Sequence, residues 1–567
     1  MAVSTATVSF LNGERAVVVL VVARILFSLP SSLLFHGVSL SLLLLAALFL
    51  EIRAEISSSL PTVFNARPGA SSGILLGAVA LPAVMLSKLI LLRRAYLLHE
   101  IEPEELEHIT MQYWATSASC CGVLIFLWII LWRESRNVHP SSSRGIWEPK
   151  FSLSCILLYA ALCLVSLATI SHTGLNAALK WLWILFHGFA SVKLIQHLLC
   201  TFPYCASIGL SSFNFFPFKD EAKDKEQPTS ADYIPVQPFL YKYDVRSEIS
   251  IIIQGVLLGL LLVPLVFKFV LHVYRRSFGK SCSERGTDNE IVKSLIFFSS
   301  LGFILLTIVP SWMQFVQDFN QHPLLWVITF VFSEPFKRLS LCVYWVCLIY
   351  ASVLRFYNIS RKSKMERILL RKYYHLMAVL MFLPALIFQP KFLDLAFGAA
   401  LAVFLVLEII RVWRIWPLGE IIHQFMNAFT DPRDSCLMLG IHFSLLLGCA
   451  LPIWMSFGFN DRPLSPFAGV LSLGIGDTMA SMVGHKYGVL RWSKTGKKTV
   501  EGTAAGITSV LAACSLLLPL LASTGYILTQ DWLSLLLAVT ASGMLEAYTA
   551  QLDNAFIPLV FYSLLVL

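Results

Sequence analysis

Apolar runs long enough to cross a lipid bilayer recur along the whole chain of 567 residues. Each crossing needs about 20 apolar residues, and here 57% of the residues are hydrophobic and only 14% are charged. A soluble chain of this length would need far more charged surface. The sequence therefore predicts an all-α fold, a polytopic transmembrane helical bundle with roughly 13–16 spans. The net charge of +9 is typical of basic cytoplasmic loops, and we expect no nucleic-acid partner.

Polar residues inside the predicted spans are rare in the first part of the chain and frequent in the last third. We therefore predict an N-terminal multi-span membrane region over residues 1–355, with spans that include 152–171 and 178–200, and a C-terminal catalytic membrane core over 356–567. Basic loops at 355–372 and 486–498 are both expected on the cytoplasmic side. The even number of predicted crossings between them agrees with that orientation, and it brings the polar ends of the core to one membrane face.

The segment 474–503 is where chemistry is most strongly indicated. An apolar stretch ends in Asp477, and an ionisable group inside a span is a functional candidate by default. The following loop is dense in Gly, which lets backbone N–H groups approach a phosphate, and in Lys, which supplies point charge. A helix that starts at Val500 or Glu501 would direct its N-terminus at the same anion. We predict a polyphosphate cradle formed by Lys494, Lys497, Lys498, Thr499 and Thr503. An ordinary positive-inside loop is the alternative.

Three carboxylates accompany this loop: Asp477, Glu546 and Asp553. Carboxylates near phosphates usually hold a divalent cation, and Mg²⁺ takes one or two of them together with phosphate oxygens. One carboxylate could instead accept the proton of an attacking hydroxyl, and the residues leave that choice open. For Asp477 and Glu546 the alternative is a structural pair with a Lys or Arg of a neighbouring helix.

The same segment resembles the nucleotide-binding motif of dolichol kinases, which are CTP-dependent polyprenol kinases of the endoplasmic reticulum membrane. Further matching groups bring the resemblance to roughly residues 370–567. The matches within the motif are Gly476-Asp477-Thr478, Ala480-Ser481, Gly484, Gly488, Trp492, Lys497-Lys498-Thr499 and Glu501-Gly502-Thr503. The matches outside it include Arg371–His375, Asp431–Ser435, Glu546-Ala547 and Gln551–Asn554. Cys436 departs from the pattern, since the family tends to have Gly there.

The resemblance implies a transferase that moves the γ-phosphate of CTP to dolichol, which gives dolichyl phosphate for protein glycosylation. It also implies a divalent cation, Mg²⁺, and a multi-pass protein of the endoplasmic reticulum membrane with its active site toward the cytoplasm. The implied catalytic residues are Asp477, Lys498, Asp553, Glu546 and His375, with Asp477 and Asp553 as metal ligands. The implied nucleotide-binding residues are Gly474, Gly476, Thr478, Ser481, Gly484, Lys494, Lys497, Lys498, Thr499, Glu501, Gly502 and Thr503. The implied substrate-positioning residues are Arg433, Asp434 and Asn554.

Three other functions remain open at this point. The core is also similar to phytol and farnesol kinases and, more distantly, to CTP-dependent lipid cytidylyltransferases. Plastid relatives carry a transit peptide, and the start of this chain is not rich in Arg and Ser, which favours dolichol kinase. An anion transporter would also place acids in the membrane, but it has less need of the Lys, Gly and Thr loop.

Overall fold

The computed structural model of the chain is built from helices. It describes residues 12–56, 73–98, 103–136, 184, 188, 248–278, 286–316, 319, 321–362, 367–428, 438–456, 462–492, 498–523, 531–549 and 553–567. These residues contain no extended strand, only an isolated antiparallel bridge between Arg491 and Thr499. The predicted all-α class is therefore confirmed.

The chain divides into two compact units. The first unit combines residues 1–217 with 447–567, and the second comprises residues 218–446. The helices of the first unit are α1 (Gly13–Phe27), α2 (Leu34–Ile56), α3 (Ile74–Leu97) and α4 (Pro103–Arg136). The helices of the second unit are α5 (Glu248–Phe278), α6 (Gly286–Phe303), α7 (Val309–Val316), α8 (Pro323–Ser333), α9 (Pro335–Lys362), α10 (Arg367–Phe388), α11 (Pro390–Trp413) and α12 (Leu418–Ala428). The chain passes back to the first unit within α13 (Met438–Met455) and continues as α14 (Thr478–Tyr487), α15 (Val500–Ser523), α16 (Trp532–Tyr548) and α17 (Asp553–Val566).

The core of the first unit is α3. Every residue from Ile74 to Leu92 is buried, and α3 packs against α2, α4 and α17. Helix α1 ends at Phe27 and α2 begins at Leu34, with Pro30 in the turn between them. An ion pair between Arg15 and Glu51 holds the start of α1 to the end of α2. A continuous apolar sequence without a polar face is expected of a helix that is buried all round.

The second unit is held together by aromatic packing near the end of α11. The rings of Phe267 and Trp413 lie with their centroids 4.9 Å apart, and Phe297 packs edge-on against Phe267 at 5.6 Å. The ammonium of Lys293 donates to the carbonyl of Trp413 at 2.9 Å. In contrast to α3, the helix α9 is almost wholly exposed within its apolar span, as expected for a surface that faces lipid.

Eight helices among the described residues are long and apolar enough to cross a membrane, and five shorter apolar helices accompany them. The chain is therefore a multi-pass membrane protein by this criterion. The predicted spans at 152–171 and 178–200 fall outside the described residues, so the predicted total stays a prediction. The predicted functional boundary at residue 355 also stays a prediction, and the two units group the chain differently.

Two irregular segments precede the candidate site. A 3₁₀ turn at Ser465–Phe467 is followed by a π-helical segment, Val470–Asp477, which runs directly into α14. Such π-helical segments are rare and frequently mark functional sites.

Further along the chain, the carboxylate of Asp531 caps α16 by accepting hydrogen bonds from the amides of Leu533 and Ser534.

Candidate functional site

Helices α14 and α15 form a tightly packed antiparallel pair around the predicted motif. A methyl group at Gly502 would lie 2.5 Å from the carbonyl oxygen of Ala480, and one at Gly506 would lie 3.0 Å from that of Gly476. The later residue Gly506 meets the earlier residue Gly476, whereas Gly502 meets Ala480, so the two helices run in opposite directions. Small residues are needed here because the two backbones touch.

Asp477 lies deep in this pair. Its residue is 2% exposed, it ends the π-helical segment, and Ser481 Oγ lies 3.5 Å from its Oδ1 in a hydrogen bond. Asp477 follows Gly476, which faces Gly506 on α15. At a rise of 1.5 Å per residue, that level is about 10 Å along α15 from Thr499. The buried carboxylate therefore sits about two helical turns below the loop.

The loop that joins the two helices is clamped onto the start of α15. The amide of Val500 donates to the carbonyl of Leu490 at 2.8 Å, and the amide of Trp492 donates to the carbonyl of Lys498 at 3.2 Å. The carboxylate of Glu501 accepts from the amide of Leu490 at 3.0 and 3.2 Å. Glu501, predicted to bind nucleotide, thus holds the loop by its side chain in this structure.

Thr499 begins α15 as its N-terminal cap. Its Oγ1 accepts from the amide of Gly502 at 3.2 Å, and its carbonyl accepts from the amide of Thr503 at 3.1 Å. The indole Nε1 of Trp492 donates to Thr503 Oγ1 at 2.9 Å. The start at Val500 confirms the predicted helix start, and a helix N-terminus carries partial positive charge that favours an anion.

Lys498 is held by the end of α16. Its ammonium forms an ion pair with the carboxylate of Glu546 and also donates to the carbonyl of Glu546. The side chain of Lys498 is 39% exposed, whereas that of Glu546 is 11% exposed. The predicted alternative for Glu546 was a pair with a Lys or Arg of a neighbouring helix, and the partner found is Lys498, two residues before α15 begins. A partly exposed ammonium remains within reach of an anion that arrives from outside.

The donor set of the site fits a cation that is carried by a nucleotide. Within the parts of the chain that the structure describes, no group of three or more His, Cys, Asp or Glu side chains is placed to hold a metal ion. Mg²⁺ needs only one or two carboxylates when phosphates and waters complete its shell. The Asp477 carboxylate beside the Ser481 hydroxyl offers such hard oxygen ligands.

Other predicted site residues are placed as follows. Gly474 and Gly476 lie in the π-helical segment, and Thr478, 2% exposed, opens α14. Gly484 contacts the cap, because a methyl group there would lie 2.8 Å from Thr499 Oγ1. Asn554 lies in the first turn of α17, with its carbonyl against Gly448. The nucleotide-binding assignment of the two glycines at 484 and 502 stays a prediction, and both serve helix packing here.

The other predicted residues lie in the second unit or outside the described residues. His375 is buried in α10 of the second unit, and its catalytic role stays a prediction. Asp553 opens α17, but its side chain is outside the described residues. Lys494, Lys497, Arg433 and Asp434 also lie outside the described residues, as does Cys436, so their roles stay predictions.

The sequence reasoning missed two contributions to the site. Tyr548, near Glu546 at the end of α16, packs its ring on Trp492 at 5.3 Å between centroids. The N-terminal helices supply a buried ionic network, with Arg15 bound to Glu51 and Glu55. The signal for the second was available, because Arg15 precedes the first apolar run and Glu51 follows the second.

Known proteins similar to this chain agree on one family. A family model described as dolichol kinase matches residues 244–450, a range that ends before the α14–α15 pair. Dolichol kinase EVAN of Arabidopsis thaliana is 66% identical over 99% of this chain and 100% of its own length. The dolichol kinase of Homo sapiens is 37% identical over 49% of this chain and 54% of its own length, and dolichol kinase sec59 of Schizosaccharomyces pombe is 30% identical over 57% and 64%. No solved structure matches the chain.

Proposed function

The chain belongs to the dolichol kinase family, and on that premise we propose that it transfers the γ-phosphate of CTP to the terminal hydroxyl of dolichol. It is a lipid kinase and a multi-pass membrane protein. We propose that the reaction takes place in the endoplasmic reticulum membrane, with the reacting phosphate at the cytoplasmic face. The positive-inside expectation for the basic loop 486–498 supports that orientation.

One observation carries the assignment of the site. A partly exposed lysine, Lys498, stands at the capped N-terminus of α15, in the same helix pair whose interior holds the buried Asp477. Phosphoryl transfer depends almost entirely on positioning and on neutralising phosphate charge. A lysine, a helix N-terminus and a buried carboxylate supply those functions, since the first two bind phosphate oxygens and the third binds a cation.

We assign the roles in the site from these contacts. Lys498 Nζ binds the transferring phosphate and neutralises charge that develops on it, and Glu546 orients Lys498 from the end of α16. The amides at the start of α15, fixed by the cap at Thr499, bind phosphate oxygens. Asp477 and Ser481 would hold Mg²⁺, with Asp553 as a second candidate ligand. Bound there, the cation supplies charge neutralisation to the phosphates.

The remaining predicted groups act around this centre. We propose that Lys494 and Lys497 add positive charge to the loop beside Lys498. We also propose that His375, Arg433, Asp434 and Asn554 position the polyprenol or its hydroxyl. The hydroxyl oxygen of dolichol forms a bond to the γ-phosphorus of CTP while the bond from that phosphorus to the β-phosphate oxygen breaks, and a carboxylate of the site accepts the hydroxyl proton. The products are dolichyl phosphate and CDP.

A label-transfer assay on membranes that contain the overexpressed chain tests the reaction. γ-labelled CTP and γ-labelled ATP are supplied separately, each with dolichol or phytol as the acceptor. The proposal expects label to move from CTP to dolichol. Label on phytol alone would identify a phytol kinase, labelled pyrophosphate without labelled lipid would identify a cytidylyltransferase, and no product at all would favour an anion transporter.

Asp477→Asn ties the reaction to this site. The substitution keeps the shape of the side chain but removes its charge, and we expect transfer to fall by about a hundredfold or more, as when a group that stabilises transferring phosphate is lost. The matched control is Asp394→Asn, since Asp394 is also buried, at 3% exposed, but lies in the second unit. Equal rates for the two variants would remove Asp477 from the site.

A further inference from the structure

The first residue of the first helix lies against the end of α16. Gly13 begins α1, and a methyl group at Gly13 would overlap the ring of Tyr548. Helices α1 and α16 pack against each other within the first unit. Tyr548 is two residues beyond Glu546, the partner of Lys498. The start of α1 therefore lies against the helix turn that holds Lys498.

From Tyr548 the contacts continue to the cap of α15. The rings of Tyr548 and Trp492 lie 5.3 Å apart at an angle of 60°. The indole of Trp492 donates to Thr503 Oγ1 at 2.9 Å, and Thr503 Oγ1 donates to the carbonyl of Thr499 at 3.1 Å. A displacement of the Tyr548 ring thus reaches the start of α15 through packed rings and two hydrogen bonds.

The position of α1 is itself fixed by buried charges. Arg15, 1% exposed, bonds Glu51 at 2.9 Å and Glu55 at 2.7 Å, both at the end of α2. The second oxygen of Glu51 accepts from the amide of Leu75 at the start of α3 at 2.9 Å. A charge network this buried holds its helices in one register, because moving either partner would expose an uncompensated charge. Gly13 is therefore presented by a rigid frame of three helices.

We infer that Gly13 and Tyr548 are positioning residues for phosphate transfer, through which the N-terminal helices hold the nucleotide loop in place. The inference rests on the proposed function for the catalytic part of its test. Gly13 is required because its missing side chain leaves room for the ring of Tyr548. Tyr548 is required for its ring, which supports Trp492 and, through it, the start of α15.

Gly13→Ala tests the first step of this path. The added methyl displaces the Tyr548 ring, and we expect kcat/KM for the nucleotide to fall by about tenfold or more, since a 1 Å misplacement at a reacting centre can cost a hundredfold. The KM for dolichol should stay unchanged. The control is Gly302→Ala in α6, where a methyl group meets nothing within 4 Å. Equal kcat/KM for the two variants, with an active wild type, overturns the inference and leaves the proposed function standing.

Variants at Tyr548 distinguish a positioning role from a general effect on stability. Tyr548→Phe keeps the ring and should keep near-normal turnover, whereas Tyr548→Leu should lose about tenfold in kcat/KM for the nucleotide. In Tyr548→Leu, the further change Gly13→Ala should have little additional effect, because the two changes act through one contact. The path would be contradicted if the losses in kcat/KM of Gly13→Ala and Tyr548→Leu multiplied in the double variant. It would also be contradicted if Tyr548→Phe lost as much kcat/KM as Tyr548→Leu.

A readout that needs no catalysis completes the test. Trypsin cleavage after Arg491 and Lys498 is timed in the detergent-solubilised full chain and mapped by mass spectrometry. Gly13→Ala should accelerate cleavage at these two sites relative to Gly302→Ala, because the loop loses support from Trp492. Unchanged cleavage would overturn the inference even if the wild type transfers no label, whereas a silent wild type with accelerated cleavage in the variant would contradict only the proposed function.

Discussion

Two ion pairs in this protein each join a basic side chain to a glutamate, but they differ in how much of the basic side chain is exposed. In the second unit, Arg411 binds Glu408 on its own helix through two parallel bonds of 2.8 and 2.5 Å, and both side chains are at most 10% exposed. In the first unit, Lys498 binds Glu546 from a loop to a distant helix, and the lysine is 39% exposed. The first pair is closed within one turn of helix, and the second is open to its surroundings.

The difference in exposure suggests which of the two basic side chains can bind an incoming phosphate. A guanidinium that is bound in a fork to a carboxylate three residues away has its geometry satisfied locally. A lysine is a point charge on a flexible stem, and an incoming phosphate can bind its ammonium while Glu546 keeps it oriented. We therefore propose that Glu408 and Arg411 serve stability, whereas Lys498 and Glu546 serve phosphate transfer.

Replacing the lysine gives the largest effect that the comparison predicts. Lys498→Ala should lower kcat for label transfer by about a hundredfold to a thousandfold, the cost of removing one donor from a developing phosphate charge. Thermal unfolding of the solubilised protein should change less than when the closed pair is broken, because the Lys498 side chain is 39% exposed and a partly exposed pair adds less stability. The control is Lys486→Ala, because Lys486 is an exposed lysine in the last turn of α14 whose ammonium lies over the Tyr487 ring. Equal rates for both variants would favour the plain basic-loop interpretation.

Breaking the closed pair should have the reverse signature. Glu408→Gln leaves the Arg411 charge without its carboxylate in a buried place, so we expect a loss of about 3 kcal/mol in unfolding free energy. The activity of each molecule that remains folded should be unchanged. Glu420→Gln is the control, because Glu420 and its partner Arg414, 3.9 Å away, are both exposed, and the change should cost under about 0.5 kcal/mol. A catalytic loss in Glu408→Gln without a change in stability would invert the comparison.

Lys498→Arg sharpens the claim that the open pair must stay open. The charge is kept, but a guanidinium can grip Glu546 in a fork as Arg411 grips Glu408. We expect an intermediate loss of kcat, about tenfold, which corresponds to about 1.4 kcal/mol in the barrier. In the double variant with Glu546→Gln, the fork has no carboxylate, and part of that loss should be recovered. Full activity in Lys498→Arg would mean that only charge matters at this position.

The smallest effect separates the helix cap from the ion pair beside it. Thr499→Ala removes the acceptor for the amide of Gly502, and we expect a loss of about 1 kcal/mol in unfolding free energy. Thr499→Ser keeps the cap and should keep the stability. As a control, Thr508→Ala removes an exposed hydroxyl in the interior of α15 and should change stability very little. A Thr499→Ala chain as stable as wild type would show that the loop needs no cap.

Much of the fold and the centre of the site follow from local sequence. Apolar runs of membrane-spanning length predict the helices, and the acidic residue that ends such a run predicts the burial of Asp477. The helix start at Val500 is also predicted, since Thr499 and Glu501 are typical of a helix N-terminus. These features depend on neighbours within one or two turns, which a sequence displays directly.

Features that depend on distant segments were not predictable in the same way. A glycine that approaches a phosphate and a glycine that admits a neighbouring helix look alike in a sequence, and only the structure shows Gly502 against the carbonyl of Ala480. The contact of Gly13 with Tyr548 joins opposite ends of the chain. The placement of His375 in a different unit from Asp477 also depends on tertiary packing.

Photoaffinity labelling can locate the phosphates of the donor nucleotide, which we propose bind where α14 meets α15. A CTP analogue with a photoreactive group on its γ-phosphate is irradiated with the full chain in membranes, and the attached peptide is identified by mass spectrometry. We expect attachment within residues 474–503, suppressed by excess CTP and weakened in Lys498→Ala. Attachment confined to the second unit, equally strong in both proteins, would contradict it.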